Sequence, residues 1–462
     1  MEKKKVILGV VPTKRPFLSM EEAKRQKDAF MAKIRSIKPD AVTIVDIDDI
    51  CENGILFKPD LAPVVIEKLK AAKCDALFTP FCDFGDEESV ARVAAGMMLP
   101  TLVWGNRDER PNNSTGRGRD TQCGMFASTK VMARFGVKYS YIWNCSTDSE
   151  DFAKGYERFI RVAMVLKTLK SLRVAKIGER PGSFFSVMTN DANLITRFGI
   201  TCVPVSPFEC AQAANKLIED KDPVLAEYTK DLLKRFDTET MQEADVEKAA
   251  ALKLAIENIM RARGCEVGAF ECWSAFPRVY GSCPCVVLGD MADCGLPLSC
   301  ETDVNGAITL AILQAANLYE ESPFLADLTI RNPENDDSEL LWHCGPFPYS
   351  LKADASKASL VRGQEQFELK QGHLTIARFD DLNGEYTLFC GEGDTTTGPE
   401  TTGTYVYFKA DNWKRWEEKL MFGPYIHHVG GVYGDYLPVL REVARYLGIH
   451  FDNAHEQGIY SL

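Results

Sequence analysis

Through the first half of the chain, short apolar and β-branched runs alternate with longer segments that mix charge with apolar residues. KVILGVV precedes SMEEAKRQKDAFMAKIRSI, AVTIVDI precedes LAPVVIEKLKAAK, and DALFTPF precedes EESVARVAAGM. LPTLVWG, CGMFASTKVMARFG and YSYIWNC continue the rhythm. Continuous apolar runs separated by helical stretches of about ten to eighteen residues predict βαβ units, and so a parallel sheet with helices on both faces. The helical SEDFAKGYERFIRVAMVLKTLKSL closes this layer and sets a boundary near residue 172. A second α/β segment runs from RVAKIGERPG through TCVPVS and DVEKAAALKLAIENIMRARGC to VGAFECW, PCVVLGD and the helical NGAITLAILQAANL. Beyond residue 325 the texture changes. LADLTIRN, GHLTIARF, GEYTLFCGEG and GTYVYFKA are short, separated by Gly, Asp and Asn, and antiparallel in character, with one helix, DYLPVLREVARYLG, near the end. The pattern predicts two tandem Rossmann-like α/β domains, over 1–172 and 173–325, and a mostly antiparallel, barrel-like β domain over 326–462.

Length agrees with this division, since 462 residues exceed what one core supports. The net charge of −12 is spread along the chain and excludes nucleic acid or an anionic membrane as the main partner, because both require a basic face. The apolar run in MEKKKVILGVVPTKRP, about six residues, is too short for a signal-peptide core. No stretch approaches the roughly 18 apolar residues of a membrane span. Fifteen cysteines without a secretion signal point to a reducing, cytoplasmic compartment. Cys283, Cys285, Cys294 and Cys300 invite a structural-zinc reading, but their spacing lacks a CxxC knuckle and favours buried thiols. Neither GxGxxG nor GxxxxGK[ST] occurs, which argues against a nicotinamide or nucleoside triphosphate cofactor.

Three positions stand out chemically. His427 and His428 are adjacent in PYIHHVGG, where glycines would allow close backbone approach; an exposed turn with two incidental histidines is the alternative. Glu301 lies where a loop becomes a helix in LSCETDVNGAITL, and Asp327 lies inside the apolar SPFLADLTI. Ionised carboxylates are rarely buried unless paired, capping a helix or on a metal. Capping is a competing role for Glu301, one that Asp303 fills equally well, and a strand-end turn competes for Asp327. Two carboxylates with one or two imidazoles form a hard O/N set suited to manganese, magnesium or cobalt rather than structural zinc. Such a set polarises a carbonyl and its neighbouring hydroxyl, while the carboxylates act as general acid and base.

At these residues the chain resembles the L-fucose/L-arabinose isomerase family, nearer its fucose branch. WGNRDERPN (104–112), FTPFCDFG (78–85), CETDVNGAITLAIL (300–313), FLADLTI and HVGGVYGDYLPVLREVARYLGI (428–449) each resemble a family segment, in the family's order. The resemblance implies an aldose–ketose isomerase in which Glu301, Asp327 and His428 hold a divalent ion, usually Mn2+. Glu301 and Asp327 would move a proton between two sugar carbons through a cis-enediol. It implies that His343, in LLWHCGPFP, is either a fourth ligand or a core histidine, and that His427 lines the sugar site. Arg15, Glu271, Trp413 and Trp104 fall where the family contacts sugar. Cys82 replaces a family tryptophan that reaches a neighbouring subunit, which leaves the substrate open. A monosaccharide substrate and a homo-oligomer, a hexamer by preference, are also implied.

Two further readings remain. One is a sugar bearing a phosphate or sulfonate, met by the basic residues of RGRD (117–120). The other is a non-catalytic sugar-binding protein, which predicts no metal and tolerance of Glu301→Gln. The thiolate-zinc reading raised above predicts instead that chelation unfolds the protein rather than merely silencing it.

Overall fold

The computed structural model describes residues 4–111, 118–274 and 276–458. The chain forms two compact units, Met1–Lys167 and Thr168–Leu462.

In the first unit, strands β1 (Val6–Val10), β2 (Val42–Val45), β3 (Ala76–Phe81), β4 (Thr101–Gly105) and β5 (Tyr139–Tyr141) form one parallel sheet in the order β2-β1-β3-β4-β5. β3 and β4 are buried at every position, as expected of strands covered on both faces. The helix Met20–Ser36 begins at Ser19, whose hydroxyl accepts from the Glu22 N–H, and it buries Ala23, Phe30, Met31 and Ile34 along one stripe.

The second unit opens with another parallel sheet. β6 (Arg173–Ile177), β7 (Thr201–Val205), β8 (Val267–Phe270) and β9 (Leu298–Ser299) lie in the order β7-β6-β8-β9. The helix Val304–Ala316 comes after β9 and is buried at all of its positions. A helix apolar all round must be enclosed; this one packs against β8 of the parallel sheet and against two strands of the next layer, β14 (His373–Leu382) and β17 (His428–Tyr433).

That next layer is mostly antiparallel. β10 (Phe324–Arg331), β11 (Ser338–His343), β16 (Thr404–Lys409), β15 (Glu385–Thr396), β14 and β17 pair in a closed ring, an antiparallel six-stranded barrel. β12 (Ser359–Val361), β13 (Gln364–Glu368) and β18 (His450–Asn453) extend it. Closure removes the exposed edges that an open sheet must protect. The predicted fold class, parallel α/β sheets followed by an antiparallel barrel, is the one observed. Strand register brings the chemically distinctive residues side by side: Asp327 on β10 sits opposite His428 on β17 and opposite Trp342 on β11, one residue before His343.

Candidate active site

Glu301 and Thr302, just after β9, both adopt left-handed backbone conformations, with φ of 58° and 55°. For residues with a Cβ this costs about 1–2 kcal/mol each, so the surroundings must hold them there. One restraint is the Thr302 N–H, which donates to the Phe270 carbonyl at 3.1 Å. Another is Asp303, which caps the helix by accepting from the Gly306 N–H at 2.9 Å. A side chain at Gly306 would meet that carboxylate at 2.6 Å. With Asp303 as the cap, Glu301 is released from the capping role. Its Oε1 accepts from the indole N–H of Trp273 at 3.0 Å, while its Oε2 points toward β17.

There His428 waits, fully buried. Its Nδ1–H donates to Asp303 Oδ2 at 2.9 Å, which turns Nε2 toward Glu301 Oε2 at 2.9 Å and Asp327 Oδ1 at 3.4 Å. A carboxylate behind an imidazole fixes ring and tautomer, as in many metal-ligating histidines. Asp303 is held in turn by both terminal nitrogens of Arg378, a fully buried side chain on β14 whose Nε–H donates to Asp380 at 2.8 Å. Burial alone would push the Asp303 carboxyl up, but Arg378 and His428 outweigh it and hold it well below the usual carboxylate range. For His428, burial pulls the imidazolium down, yet the hydrogen bond to Asp303 and the Glu301 carboxylate close by win and raise it to about 10. Burial also opposes ionisation of Glu301, but His428, His343 and Trp273 leave it below its ordinary value.

Four buried atoms here lack a hydrogen-bonding partner: Glu301 Oε2, Asp327 Oδ1, His343 Nε2 and His428 Nε2. The 2.9 Å approach of His428 to Glu301 lacks hydrogen-bond geometry, an arrangement suited to two ligands of one ion. Burying such groups unpaired is costly, which makes their convergence informative. Two overlapping sets bring ligand atoms within 4.8 Å of one another: Glu301, His343 and His428, and Asp327, His427 and His428. The oxygen and imidazole donors fit a hard divalent cation. His427 stands half-exposed at the mouth, its ring 5.6 Å from Phe184, which also lies 5.7 Å from His428.

Glu271, at the end of β8, accepts from Ser274 at 2.6 Å and from the Glu179 N–H at 3.2 Å, two residues before Trp273. Trp413 is buried in the core, stacked on Trp416 at 6.0 Å. Arg15 and Trp104 belong to the first unit. There the Arg15 guanidinium lies 4.0 Å from the Phe84 ring, and Trp104 is enclosed by Phe30 and Phe152. Cys82 is fully buried. Of RGRD, Arg117 lies outside the described residues; Arg119 is buried among Glu109, Asp108 and Glu22 at 3.2–3.6 Å. The four cysteines first considered for zinc do not gather: Cys283 and Cys285 touch at 3.4 Å, but the next sulfur is that of Cys344. Sequence reasoning missed Trp273, Arg378 and the orienting role of Asp303. An arginine amid the apolar alternation of GHLTIARF was the one available signal for Arg378.

Residues 9–170 match the family model of the fucose/sulfoquinovose isomerase N-terminal domain, and residues 342–455 that of the L-fucose isomerase C-terminal domain. Sulfoquinovose isomerases from Priestia aryabhattai and Priestia megaterium are 27% identical over 397 residues, 83% of this chain and 86% of theirs. The sulfoquinovose isomerase of Alkalicoccus urumqiensis is 24% identical over 341 residues, 72% of this chain and 75% of its own. A solved solute-binding protein from Bacillus halodurans C-125 with bound myo-inositol aligns only loosely, at a TM-score of 0.17 and 13% identity over 69% of this chain and 91% of its own. The class is therefore a sugar isomerase interconverting aldose and ketose. The chain belongs to the L-fucose isomerase-like family, as its motifs lead one to expect.

Proposed function

We propose that this protein is a divalent-metal-dependent isomerase of a sulfonated aldose, with Glu301, Asp327 and His428 as the metal ligands. The convergence of orphaned buried atoms on one point carries the metal reading. The sulfonated substrate is supported by relatives named for sulfoquinovose that span most of this chain. Mn2+ suits the oxygen-rich donor set, with Mg2+ and Co2+ as alternatives.

An ion held here would polarise the sugar carbonyl and the adjacent hydroxyl, easing loss of the proton between them. The chain's own residues do the rest. Glu301, ionised at neutral pH, and Asp327 on the facing strand form the pair that takes the proton from one carbon and returns it to its neighbour, through a cis-enediol. Asp303 and Arg378 hold the His428 ring in place. Phe184, whose ring lies against His427 and His428, would shield the reacting carbons from water on that side. We take the working form to be a homo-oligomer, a hexamer by resemblance. Fifteen unpaired thiols favour a reducing compartment, and among the described residues no helix is long and apolar enough to cross a membrane.

The test is NMR of sulfoquinovose and L-fucose incubated with enzyme that has been stripped by chelation and reloaded with Mn2+, Mg2+ or Co2+. Conversion of sulfoquinovose to its ketose only after reloading is expected. Full turnover by the stripped enzyme would refute the metal requirement, and preference for L-fucose would refute the sulfonated substrate.

A further inference from the structure

The two buried histidines of the site differ in which nitrogen carries the proton. At His428, Nδ1 donates to Asp303, so Nε2 is the nitrogen that becomes bare when the ring gives up a proton to take an ion. At His343 the situation is reversed. The backbone N–H of Cys344 points at His343 Nδ1 from 2.9 Å, so Nδ1 is an acceptor and the ring proton sits on Nε2. The Cys344 thiol, 3.3 Å from the same Nδ1, can likewise donate only to an unprotonated Nδ1, which again places the ring proton on Nε2. Only an Nδ1–H tautomer would bare Nε2, and it would set two N–H groups head to head. A protonated nitrogen has no lone pair to give an ion.

His343 Nε2 is nevertheless buried, aimed into the site and without a partner. Its nearest carboxylate oxygen, Asp327 Oδ1, is 3.8 Å away, too far for a hydrogen bond. A buried donor left unsatisfied costs about 1–3 kcal/mol, so the site is incomplete until an acceptor arrives. Resting on the metal-dependent isomerase reading, we propose that His343 is no metal ligand but a hydrogen-bond and proton donor, through Nε2–H, to an oxygen of the sugar at the reacting carbons. Distance alone would admit it as a ligand beside Glu301 and His428; the Cys344 N–H decides otherwise. When the substrate carbonyl gains negative charge, the Nε2 proton passes to that oxygen and stays there as the product hydroxyl; the neighbouring hydroxyl, as it becomes the new carbonyl, gives its proton to Nε2, so the ring is restored over the cycle.

The first measurement starts from the wild type. Electron spin-echo modulation of the wild-type protein loaded with Mn2+ alone is expected to show one coordinated imidazole nitrogen; a second that disappears in His343→Gln would overturn the proposal. Folded His343→Leu and His343→Gln proteins, checked by circular dichroism, are then expected to bind Mn2+ as the wild type does, whereas His428→Asn loses it. Since a positioned proton donor is worth about 10²–10⁴-fold, kcat should fall in that range in His343→Leu and recover in part in His343→Gln, whose amide restores an N–H. Loss of Mn2+ from either folded His343 variant, or full kcat in His343→Leu, would overturn the assignment. Failure of the wild type to take up any of Mn2+, Mg2+ and Co2+ would sink the metal-dependent reading itself, and this assignment with it.

Discussion

Asp303 answers to three groups at once: it caps a helix, orients His428 and neutralises Arg378. Asp303→Asn keeps an oxygen for the Gly306 N–H but removes the charge that anchors both the imidazole and the guanidinium. Loss of such an outer carboxylate typically weakens metal binding about 10–100-fold, and that is the expected fall in Mn2+ affinity by titration calorimetry. Breaking a buried ion pair costs up to about 3–5 kcal/mol, so denaturant unfolding of the metal-free variant should show a loss within that bound, tempered by the remaining Asp380 partner. His428 supplies a second expectation. Without an ion its imidazolium is held up to about 10, so at neutral pH it is protonated, and binding an ion through Nε2 must expel that proton. Affinity for Mn2+ should therefore rise with pH, up to about tenfold per unit, and level off as pH passes the raised value. Calorimetry at pH 7 in buffers of different ionisation enthalpy should register one proton released per ion; none released would remove His428 from the ligand set.

At the scale of elements, β17 is shaped by its glycines. A Cβ on Gly430 would come within 2.8 Å of Leu313 and Thr309 on the buried helix, and one on Gly431 within 2.4 Å of the Phe324 ring. Their role is to let the strand lie close to the helix on one face and to β10 on the other, which sets His428 opposite Asp327. Gly431→Ala should overpack this contact and destabilise the protein by about 1–3 kcal/mol, visible as a lowered thermal midpoint, with weaker Mn2+ binding as β17 is pushed out of register. A variant as stable as the wild type would mean that Phe324 moves aside freely.

Elements were the most legible part of the sequence. VILGV and ALFTPF read as buried parallel strands because both faces are covered, and GHLTIARF and GTYVYFKA read as antiparallel ones. β9 escaped notice, since two residues make no pattern. The site was legible only in part, and for a physical reason. Glu301, Asp327 and His428 became a set through resemblance; spacing alone could not unite residues brought together by strand register across a closed barrel. Trp273 and Arg378 reach the site through tertiary contacts that no local pattern encodes. Trp413 was expected beside the sugar and lies in the core, because a tryptophan in an amphipathic segment reads alike in either place.

Over the whole molecule, the site draws on residues far apart in the chain: the end of a parallel strand, one barrel strand for Asp327 and another, near the C-terminus, for His428. The helix Val304–Ala316 has no solvent-facing side, so it gains its full stability only when the parallel sheet and the barrel are both in place around it. During synthesis, then, the ligands contributed by the first two segments emerge well before the third. A nascent chain paused ahead of residue 428 would hold two carboxylates without the imidazole that pairs with them. With the proposed ligands, tight ion capture would mark the moment at which translation has delivered β17 and the ring has closed, and the ion would act as a seal on a completed barrel.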